Sequence, residues 1–311
     1  MPMAVHYDRP FDATHRSALY AGSIGVATPT AHSVAFAEFA KGLVESAFAG
    51  LDPETAQFAL PVDEYAAILS SLKPEFIHHP ESKRLLAAVL TERGCDPERT
   101  YFDVPRLRTS TSHGYLTTGI AYAWHPHRDT WYSAPLAQVN HWLPVYEVSA
   151  ENAMAFHPEY FDRAVANDSE VYNYYEWNAK HRAAAASNVG KESRPLPGPT
   201  EPVDLSSSVV FVPPVGGVIH FSGHQLHSSV PNTTGKTRFS IDFRTVDVDD
   251  ILDGRGAHNV DGKCTGSSIR NFRRVADLAP MPDDVVALFN DGTETAGNLV
   301  YTPPARTASV T

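Results

Sequence analysis

Cysteine, long apolar runs and clustered positive charge are all scarce in this sequence of 311 residues. The two cysteines, Cys95 and Cys264, form no Cys-x-x-Cys pair, so the sequence indicates neither a disulfide framework nor a thiolate zinc site. No run of 18 apolar residues is present, which argues against a membrane-spanning helix. Residues 1–16 lack the apolar segment of a signal peptide, and we therefore expect a cytoplasmic location.

The charge balance is acidic. Lys and Arg number 25 against 36 Asp and Glu, a formal net charge of −11, and no dense basic segment offsets it. Because nucleic-acid binding depends on clustered Lys and Arg, we expect no nucleic-acid partner. The length is sufficient for a substantial core, and without an internal repeat or a clear linker the sequence favours one domain.

Helices are predicted for most of residues 1–98. Apolar residues spaced three and four positions apart predict helices that begin near residues 30, 62 and 80. The second is predicted to end near residue 72, and Gly94 ends the third. Residues 1–30 are interrupted by prolines and glycines, and they are predicted to form an extended arm over the core.

From about residue 99 the pattern changes to short segments rich in aromatic and β-branched residues, which are typical of strands. A polar insertion at 158–202, rich in Tyr and Trp, is predicted to be a helical lid. The tail at 247–311 is predicted to be loop-rich, with one helix near 281–290. The strands are predicted at 101–108, 115–124, 138–145, 153–156, 209–212, 217–221, 225–230 and 236–246. The fold class expected is mainly β with flanking helices, an antiparallel sandwich or barrel with its core at 99–246.

The first candidate site is His127-x-Asp129. On an extended chain, residues two apart point to the same side, so an imidazole and a carboxylate can bind one small cation. Taken alone, the pair is more simply interpreted as a structural ion pair or a loop hydrogen bond. His125 is an alternative to His127, although a turn of chain would then separate the two ligands.

A second histidine-rich segment lies at 216–232, and Arg238-x-Ser240 follows it. His220, His224 and His227 compete for the second imidazole position. The segment 231–235 favours a chain reversal, which would return the strand of Arg238 beside His227. Arg238 and Ser240 can then face one carboxylate, which a planar guanidinium binds well.

Together these segments resemble the Fe(II)/2-oxoglutarate-dependent dioxygenases, and among them the phytanoyl-CoA dioxygenase-like group, over about residues 105–245. The matching features are His127-x-Asp129, the segment from His227 through Pro231-Asn232, and Arg238-x-Ser240. The resemblance implies a double-stranded β-helix, a cupin-like jelly roll. It also implies that Fe(II) is bound by His127, Asp129 and His227, and that the distal carboxylate of 2-oxoglutarate is bound by Arg238 and Ser240.

The implied activity is oxidation of a small-molecule substrate with Fe(II), 2-oxoglutarate and O2, releasing succinate and CO2. Two imidazoles and one carboxylate leave three positions of an octahedral iron for the oxo acid and dioxygen. Hydroxylation of a small polar or aromatic metabolite is the expected outcome, with desaturation, cyclisation and epimerisation left open. Asp129 fills the position that related halogenases leave for chloride. The segment 156–161 departs from the Pro-Gly-Ser-His-like segment of the group, so the substrate class is not implied.

Further residues are predicted to surround the metal. Gln138 and Asn140 share one face of a strand and are expected at the 2-oxo acid, although a packing role explains them equally well. The residues expected near the substrate are Trp131, Tyr132, Trp142 and Arg108.

Two other functions are compatible with the same residues. One is a cupin-like isomerase or hydrolase that uses the metal without an oxo acid, and the other is a non-catalytic jelly roll that binds a ligand. Arg238-x-Ser240 favours the oxygenase over the isomerase or hydrolase, since these have no oxo acid to bind. The three intact metal ligands argue against the non-catalytic jelly roll. The oligomeric state is not predicted.

Overall fold

A computed structural model describes residues 3–121, 125–293 and 299–300. The strands are β1 (Val5–Tyr7), β2 (Ile24–Ala27), β3 (Thr100–Ser110), β4 (Val139–Pro144), β5 (Met154–Phe156), β6 (Val209–Phe211), β7 (Val218–Ser222), β8 (His227–Ser229), β9 (Arg238–Asp247) and β10 (Arg273–Arg274). They form a seven-stranded sheet in the order β1-β2-β7-β4-β9-β3-β10 and a three-stranded sheet in the order β6-β5-β8. Apart from the parallel pair β1 and β2, all strand pairs are antiparallel.

Most of the helical residues precede the long strands. The helices are α1 (Ala13–Tyr20), α2 (Ala31–Ala47), α3 (Val62–His78), α4 (Pro80–Glu92), α5 (Tyr174–Glu176), α6 (Val248–Leu252) and α7 (Asp283–Ala287). The three helices predicted near residues 30, 62 and 80 are confirmed as α2, α3 and α4. Thr30 caps α2 by accepting a hydrogen bond from the Ser33 amide, and Gly94 follows α4 with a φ of 91°.

The two faces of the large sheet have different compositions, and β9 shows the difference best. Its odd-numbered residues Phe239, Ile241 and Phe243 pack into the apolar core shared with α2, α3 and α4. Its even-numbered residues are polar, starting with Arg238 and continuing to Arg244. Because side chains alternate along a strand, one face of the sheet is covered by helices and the other presents charged groups to an interior cavity.

The small sheet packs against the polar face of the large one. Met154 and Phe156 of β5 form a buried apolar cluster with Trp142, Ile219 and Phe221 of the large sheet. The Phe156 and Phe221 rings meet edge to face at 4.9 Å between centroids. The cavity therefore lies between two sheets, beside this apolar contact.

Two local predictions are wrong. Residues 1–30 are not only an extended arm, since they contain α1 and two strands, and β2 pairs with β7 in the register Ile24 to Phe221. Residues 115–121 form turns instead of the predicted strand, because Gly114 and Gly119 adopt φ angles of 68° and 76°. The remainder of that predicted strand, 122–124, lies outside the described residues, as do 294–298 and 301–311 of the tail.

Two helical predictions need new bounds. Helix α3 extends six residues past the predicted end at residue 72, through Pro74, and Phe76 in this last part is fully buried. The insertion at 158–202 contains only short helical turns, among them α5 and the π-helical turn Trp177–His181. Among the described residues, none of the helices combines the length and the apolarity needed to cross a membrane.

Candidate metal centre

The two histidines predicted as metal ligands face each other across a backbone bridge. His127 and His227 are paired in antiparallel fashion, with the His127 amide donating to the His227 carbonyl at 2.9 Å and the reverse bond at 3.0 Å. This reciprocal pair places the two side chains on the same side, with ring centroids 4.3 Å apart. Residues 100 positions apart in the sequence are thereby held side by side.

Local backbone contacts determine how each imidazole is oriented. The Nδ1 atom of His127 lies 2.8 Å from the carbonyl oxygen of His125, and the Nδ1 atom of His227 lies 2.9 Å from that of Gln225. Since a carbonyl only accepts, Nδ1 carries the proton in both rings, and the lone pair lies on Nε2, the atom that a metal would bind.

Asp129 completes the group. Its Oδ1 atom lies 3.7 Å from Nε2 of His127 and 4.0 Å from Nε2 of His227. One ligand atom from each of the three residues falls within 4.8 Å of the others, and all three side chains are buried. These three side chains can therefore hold one metal ion.

The second carboxylate oxygen of Asp129 is bound by three polar side chains. Gln138 and Asn140 donate to Oδ2 from 3.1 and 3.0 Å, and the Nε atom of Arg244 lies 3.4 Å away. Gln138 also donates to the Asn140 side-chain oxygen at 2.8 Å. Gln138 and Asn140, which the sequence placed at the 2-oxo acid, thus hold the metal-binding carboxylate in position.

Burial and neighbouring charges set protonation states that suit a metal. Burial, together with the adjacent His227, lowers the pKa of His127 to about 3, and burial also lowers the pKa of His227. Burial alone would raise the pKa of Asp129, but Arg244 and the two imidazoles lower it on balance. Two neutral imidazoles thus face one carboxylate, the form in which these groups bind a cation.

A cavity of about 600 Å³ opens from this group between the sheets and the insertion. The three candidate ligands line it, and so do Gln138, Asn140, Trp142 and Tyr132. A cavity of this size accommodates an organic cosubstrate and a small substrate together.

Arg238 lines the same cavity and is buried. Its Nη1 atom donates to the carbonyls of Asn152 and Ala153 at 2.7 and 3.2 Å, and its guanidinium lies 5.6 Å from the ring centroid of Trp142. Among the described residues its Nε atom has no hydrogen-bond partner, and no carboxylate forms an ion pair with it. A buried cation in this position is suited to bind an anion.

Ser240 lies two residues along β9 from Arg238 and on the same face. It is completely buried, and its hydroxyl has no hydrogen-bond partner within the described part of the chain. Ser240 does not line the cavity, and in the sheet it is paired with Arg108 of β3 and Pro144 of β4.

The competing histidines lie elsewhere. His220 points to the helical side of the sheet, where its Nδ1 is 2.8 Å from Nδ1 of His141. The imidazole of His224 lies 3.2 Å from the Phe161 carbonyl oxygen and 3.5 Å from the guanidinium of Arg128. His125 is exposed and contributes only its carbonyl oxygen.

The four residues expected near the substrate differ in position. Tyr132, Trp142 and Arg108 line the cavity, and Arg108 forms a two-point ion pair with Asp242 at 2.9 and 3.0 Å. Trp131 does not line it. This ring is fully buried in a separate cluster, with its indole N–H donating to Asp261 at 2.8 Å.

Several charged residues of the cavity escaped the sequence analysis. Asp242 and Arg244 continue the alternation along β9 that begins at Arg238, and Arg106 of β3 is paired with Asp242 in the sheet. Charged residues at every second position of a strand would have indicated this polar face. Lys73 and Arg182, by contrast, reach the cavity from α3 and from the insertion, and no local pattern marks them.

Comparison with known proteins finds remote structural likenesses only. No family model matches the sequence, and no curated protein matches it. The similar solved structures include SnoN, a non-heme α-ketoglutarate-dependent epimerase from nogalamycin biosynthesis, at 14% identity over 85% of this chain and 100% of SnoN, with a TM-score of 0.38. EvdO2 from Micromonospora carbonacea var. aurantiaca, complexed with 2-oxoglutarate, is 13% identical over 76% of this chain and 91% of its own, with a TM-score of 0.40. The non-heme monooxygenase ThoJ is 14% identical over 69% and 70% of the two chains, with a TM-score of 0.36. At these identities and TM-scores, the likenesses are too remote to indicate this chain's function.

Proposed function

We propose that this protein is a non-haem Fe(II)/2-oxoglutarate-dependent oxygenase with a jelly-roll core, similar to the phytanoyl-CoA dioxygenase-like group. The observation that supports this most directly is the presence, in one cavity, of a two-histidine, one-carboxylate group and a buried guanidinium without a carboxylate partner among the described residues. The first suits a divalent iron with open positions, and the second suits the far carboxylate of an oxo acid.

The donor set fits ferrous iron. Nε2 of His127, Oδ1 of Asp129 and Nε2 of His227 would bind the ion, and the remaining polar contacts of each ligand are already made by the protein. Such outer contacts orient metal ligands and are known to raise metal affinity. With no cysteine in the group, a thiolate zinc site is disfavoured.

Arg238 fits the cosubstrate. Its guanidinium is already held by two backbone carbonyls and the Trp142 ring, so little conformational freedom is lost when an anion binds. Burial lowers the pKa of Arg238 to about 10, so the side chain remains charged at neutral pH. The Ser240 hydroxyl has no hydrogen-bond partner among the described residues, but Ser240 does not line the cavity, so in this proposal Arg238 is the residue that contacts the carboxylate and Ser240 would reach it only through a bridging water.

With both groups bound, iron and 2-oxoglutarate would supply the oxidising chemistry, in which dioxygen is reduced and the oxo acid becomes succinate and CO2. The protein's own contribution is to bind and orient. Gln138 and Asn140 keep Asp129 turned toward the imidazoles, and the buried position of all three ligands limits access of water. Tyr132, with its ring 5.7 Å from that of His127, forms part of the cavity wall beside the metal ligands.

Hydroxylation of a small polar or aromatic molecule is the outcome that we propose. The insertion contributes Tyr172, Tyr174 and Trp177 to the cavity wall, and planar substrates pack well on such rings.

A cupin-like isomerase or hydrolase that uses the metal without an oxo acid is the second candidate. It has the three metal ligands in its favour, but it leaves Arg238 buried without an anion. The two proposals therefore differ in whether 2-oxoglutarate binds.

The test is succinate formation from 2-oxoglutarate by the Fe(II)-loaded protein in air, without added substrate. We expect slow uncoupled turnover by the wild type, none by Asp129→Ala, and at least an approximately tenfold weaker affinity for 2-oxoglutarate in Arg238→Gln, since a hydrogen bond to a charged group is lost. Asp250→Asn is the matched control, because Asp250 is a buried carboxylate bound to Arg16 outside the cavity.

Three results are decisive. Turnover that persists in Asp129→Ala would refute the metal assignment. Unchanged 2-oxoglutarate affinity in Arg238→Gln would refute the anchor. Metal binding that requires the three ligands, with no affinity for 2-oxoglutarate in the wild type, would favour the second candidate.

A further inference from the structure

The cavity is strongly cationic although the chain as a whole is acidic. Its lining contains seven Lys and Arg side chains and, among the residues that the structure describes, three carboxylates: Asp103, Asp129 and Asp242. The sequence carries a net charge of −11, so this concentration of positive charge does not follow from composition. A cleft lined by one sign of charge attracts ligands of the opposite sign.

Most of these cations are balanced by acids. Arg108 and Arg244 bind Asp242, Arg106 lies 2.7 Å from Asp103, and Arg194 is paired with Glu192. Within the described ranges three cations have no carboxylate partner, namely Lys73, Arg182 and Arg238. The proposed function assigns Arg238 to 2-oxoglutarate, which leaves Lys73 and Arg182.

Lys73 and Arg182 belong to elements that meet at one end of the cavity. The Lys73 ammonium donates to the carbonyl of Ile120, and the neighbouring Gly119 packs directly against the insertion. A Cβ atom at Gly119 would lie 2.6 Å from the carbonyl oxygen of Ala185, so only glycine permits this approach. Helix α3, the loop at 118–120 and the insertion near Arg182 are therefore contiguous.

Arg182 is held in place by neutral groups. Its Nε atom donates to the Asn178 side-chain oxygen at 2.5 Å and Nη2 to the Tyr174 hydroxyl at 3.2 Å, and its guanidinium lies 5.9 Å from the Tyr174 ring centroid. These contacts orient the Arg182 guanidinium without neutralising its positive charge. Arg106 of β3 also lines the cavity, and burial lowers its pKa, with Asp103 opposing the shift and the charges of Arg244 and Arg182 adding to it.

A continuous row of aromatic rings connects this end of the cavity to the metal ligands. The Tyr132 ring is 5.7 Å from that of His127, the Tyr172 ring is 5.2 Å from that of Tyr132, and the Trp177 ring is 5.5 Å from that of Tyr172. Arg194 lies over the far ring, 5.4 Å from the centroid of Trp177. A molecule that follows this row would reach from the metal ligands to Trp177 in the insertion, the segment that also carries Arg182.

We infer that the substrate is a planar or aromatic small molecule that carries an anionic group, a carboxylate or a phosphate, and that Arg182, with Lys73 and Arg106, binds this group in the part of the cavity where α3, the loop at 118–120 and the insertion meet. The inference rests on the proposed function for its reaction, but not for its binding site. Burial and Arg108 lower the pKa of Lys73 to about 7, so an anion bound beside it would also favour its charged form.

The experiment measures binding of simple probes to the metal-free full-length protein by calorimetry. The probes are phenylacetate, phenyl phosphate and the neutral benzyl alcohol. We expect both anions, or one of them, to bind about 10- to 100-fold more weakly to Arg182→Gln than to the wild type, because a charged hydrogen-bond donor is lost. Arg182→Lys should retain part of the affinity, and benzyl alcohol should bind the wild type and Arg182→Gln equally weakly.

Two variants serve as controls. Lys180→Gln removes an exposed cation two residues away, paired with Glu176, and should leave probe binding unchanged. Arg238→Gln tests whether a probe occupies the 2-oxoglutarate position instead, since affinity would then fall in this variant and not in Arg182→Gln. Preference for phenyl phosphate or for phenylacetate identifies the anionic group.

Equal binding of the anionic probes to the wild type and Arg182→Gln would overturn the inference, as would affinity for benzyl alcohol equal to that for the anions. Because no iron is present in this assay, its result is independent of succinate formation. A protein that makes succinate but ignores Arg182 refutes only the substrate class, and one that binds the probes through Arg182 but makes no succinate refutes only the oxygenase.

Discussion

Replacing Asn140 with alanine is expected to weaken metal binding without unfolding the protein. The Asn140 amide donates to Oδ2 of Asp129 at 3.0 Å, and its oxygen accepts from Gln138 at 2.8 Å. The substitution therefore removes one direct contact to the metal-binding carboxylate and loosens a second. Asp129 is then free to turn away from the imidazoles, whose Nε2 atoms lie 3.7 and 4.0 Å from Oδ1.

The magnitude follows from the number of contacts that remain. Gln138 and Arg244 still reach Oδ2, so orientation is weakened but not lost. Loss of one outer contact to a metal ligand costs about 10- to 100-fold in affinity, which corresponds to ~1.4–2.8 kcal/mol. The Gln138 amide keeps its hydrogen bond to Asp129 but loses the one to Asn140, and leaving this second N–H buried without a partner adds a stability cost of about 1–3 kcal/mol.

The assay is anaerobic titration with Fe(II), or with Mn(II) as a redox-stable substitute, alongside urea denaturation of the metal-free protein. Gln57→Ala is the matched control, since Gln57 is also a buried amide with hydrogen bonds to Ser112 and lies outside the cavity. Gln57→Ala should lose stability and keep metal affinity. Metal affinity that stays at the wild-type value in Asn140→Ala would show that Asp129 does not depend on this contact.

Three further predictions concern stability. Burial lowers the pKa of His15 to about 4 and of His141 to about 3, so both stay neutral in the fold while the unfolded chain gains protons below pH 6.5. The free energy of unfolding should therefore fall as the pH drops from 6.5 toward 4, by about 2 kcal/mol per histidine at pH 5, and a flat urea midpoint over this range would contradict it. Gly119→Ala places a Cβ against the backbone of the insertion at a φ of 76°, so we expect a lower Tm and faster proteolysis within 158–202, and wild-type behaviour in both measurements would count against this contact. Arg128→Met should cost about 3–5 kcal/mol in urea unfolding, because Asp261 is left buried without its ion-pair partner, and a loss below about 1 kcal/mol would refute that role.

The local pattern of the sequence predicts α2, α3, α4 and most strands correctly. Periodic apolar residues and the Thr30 cap define α2, and short β-branched segments define β4, β5 and β7 within a few residues. The local pattern does not predict strands that form only by pairing with a segment far away in the sequence. Strand β2 has only four residues, and it forms because it pairs with β7. The two strands lie almost 200 residues apart in the sequence.

The candidate ligands follow the same distinction. His127 and Asp129 are two residues apart, so their shared orientation is a local property. The family resemblance selected His227 over His220 and His224, but the contact that brings His227 to His127 is a backbone bridge that exists only in the folded chain. Likewise, Gln138 and Asn140 were expected at the cosubstrate, whereas the fold directs their amides to Asp129.

The sequence by itself determined which chemical groups are present and which neighbours share a face: a His-x-Asp pair, an Arg-x-Ser pair, and strands with alternating side chains. Only the tertiary structure decided that Lys73, Arg106 and Arg182 converge with them on one cavity, because they come from a helix, a strand and an insertion with no common period. Convergence of this kind depends on how separate elements pack, and packing is set by contacts between residues far apart in the chain.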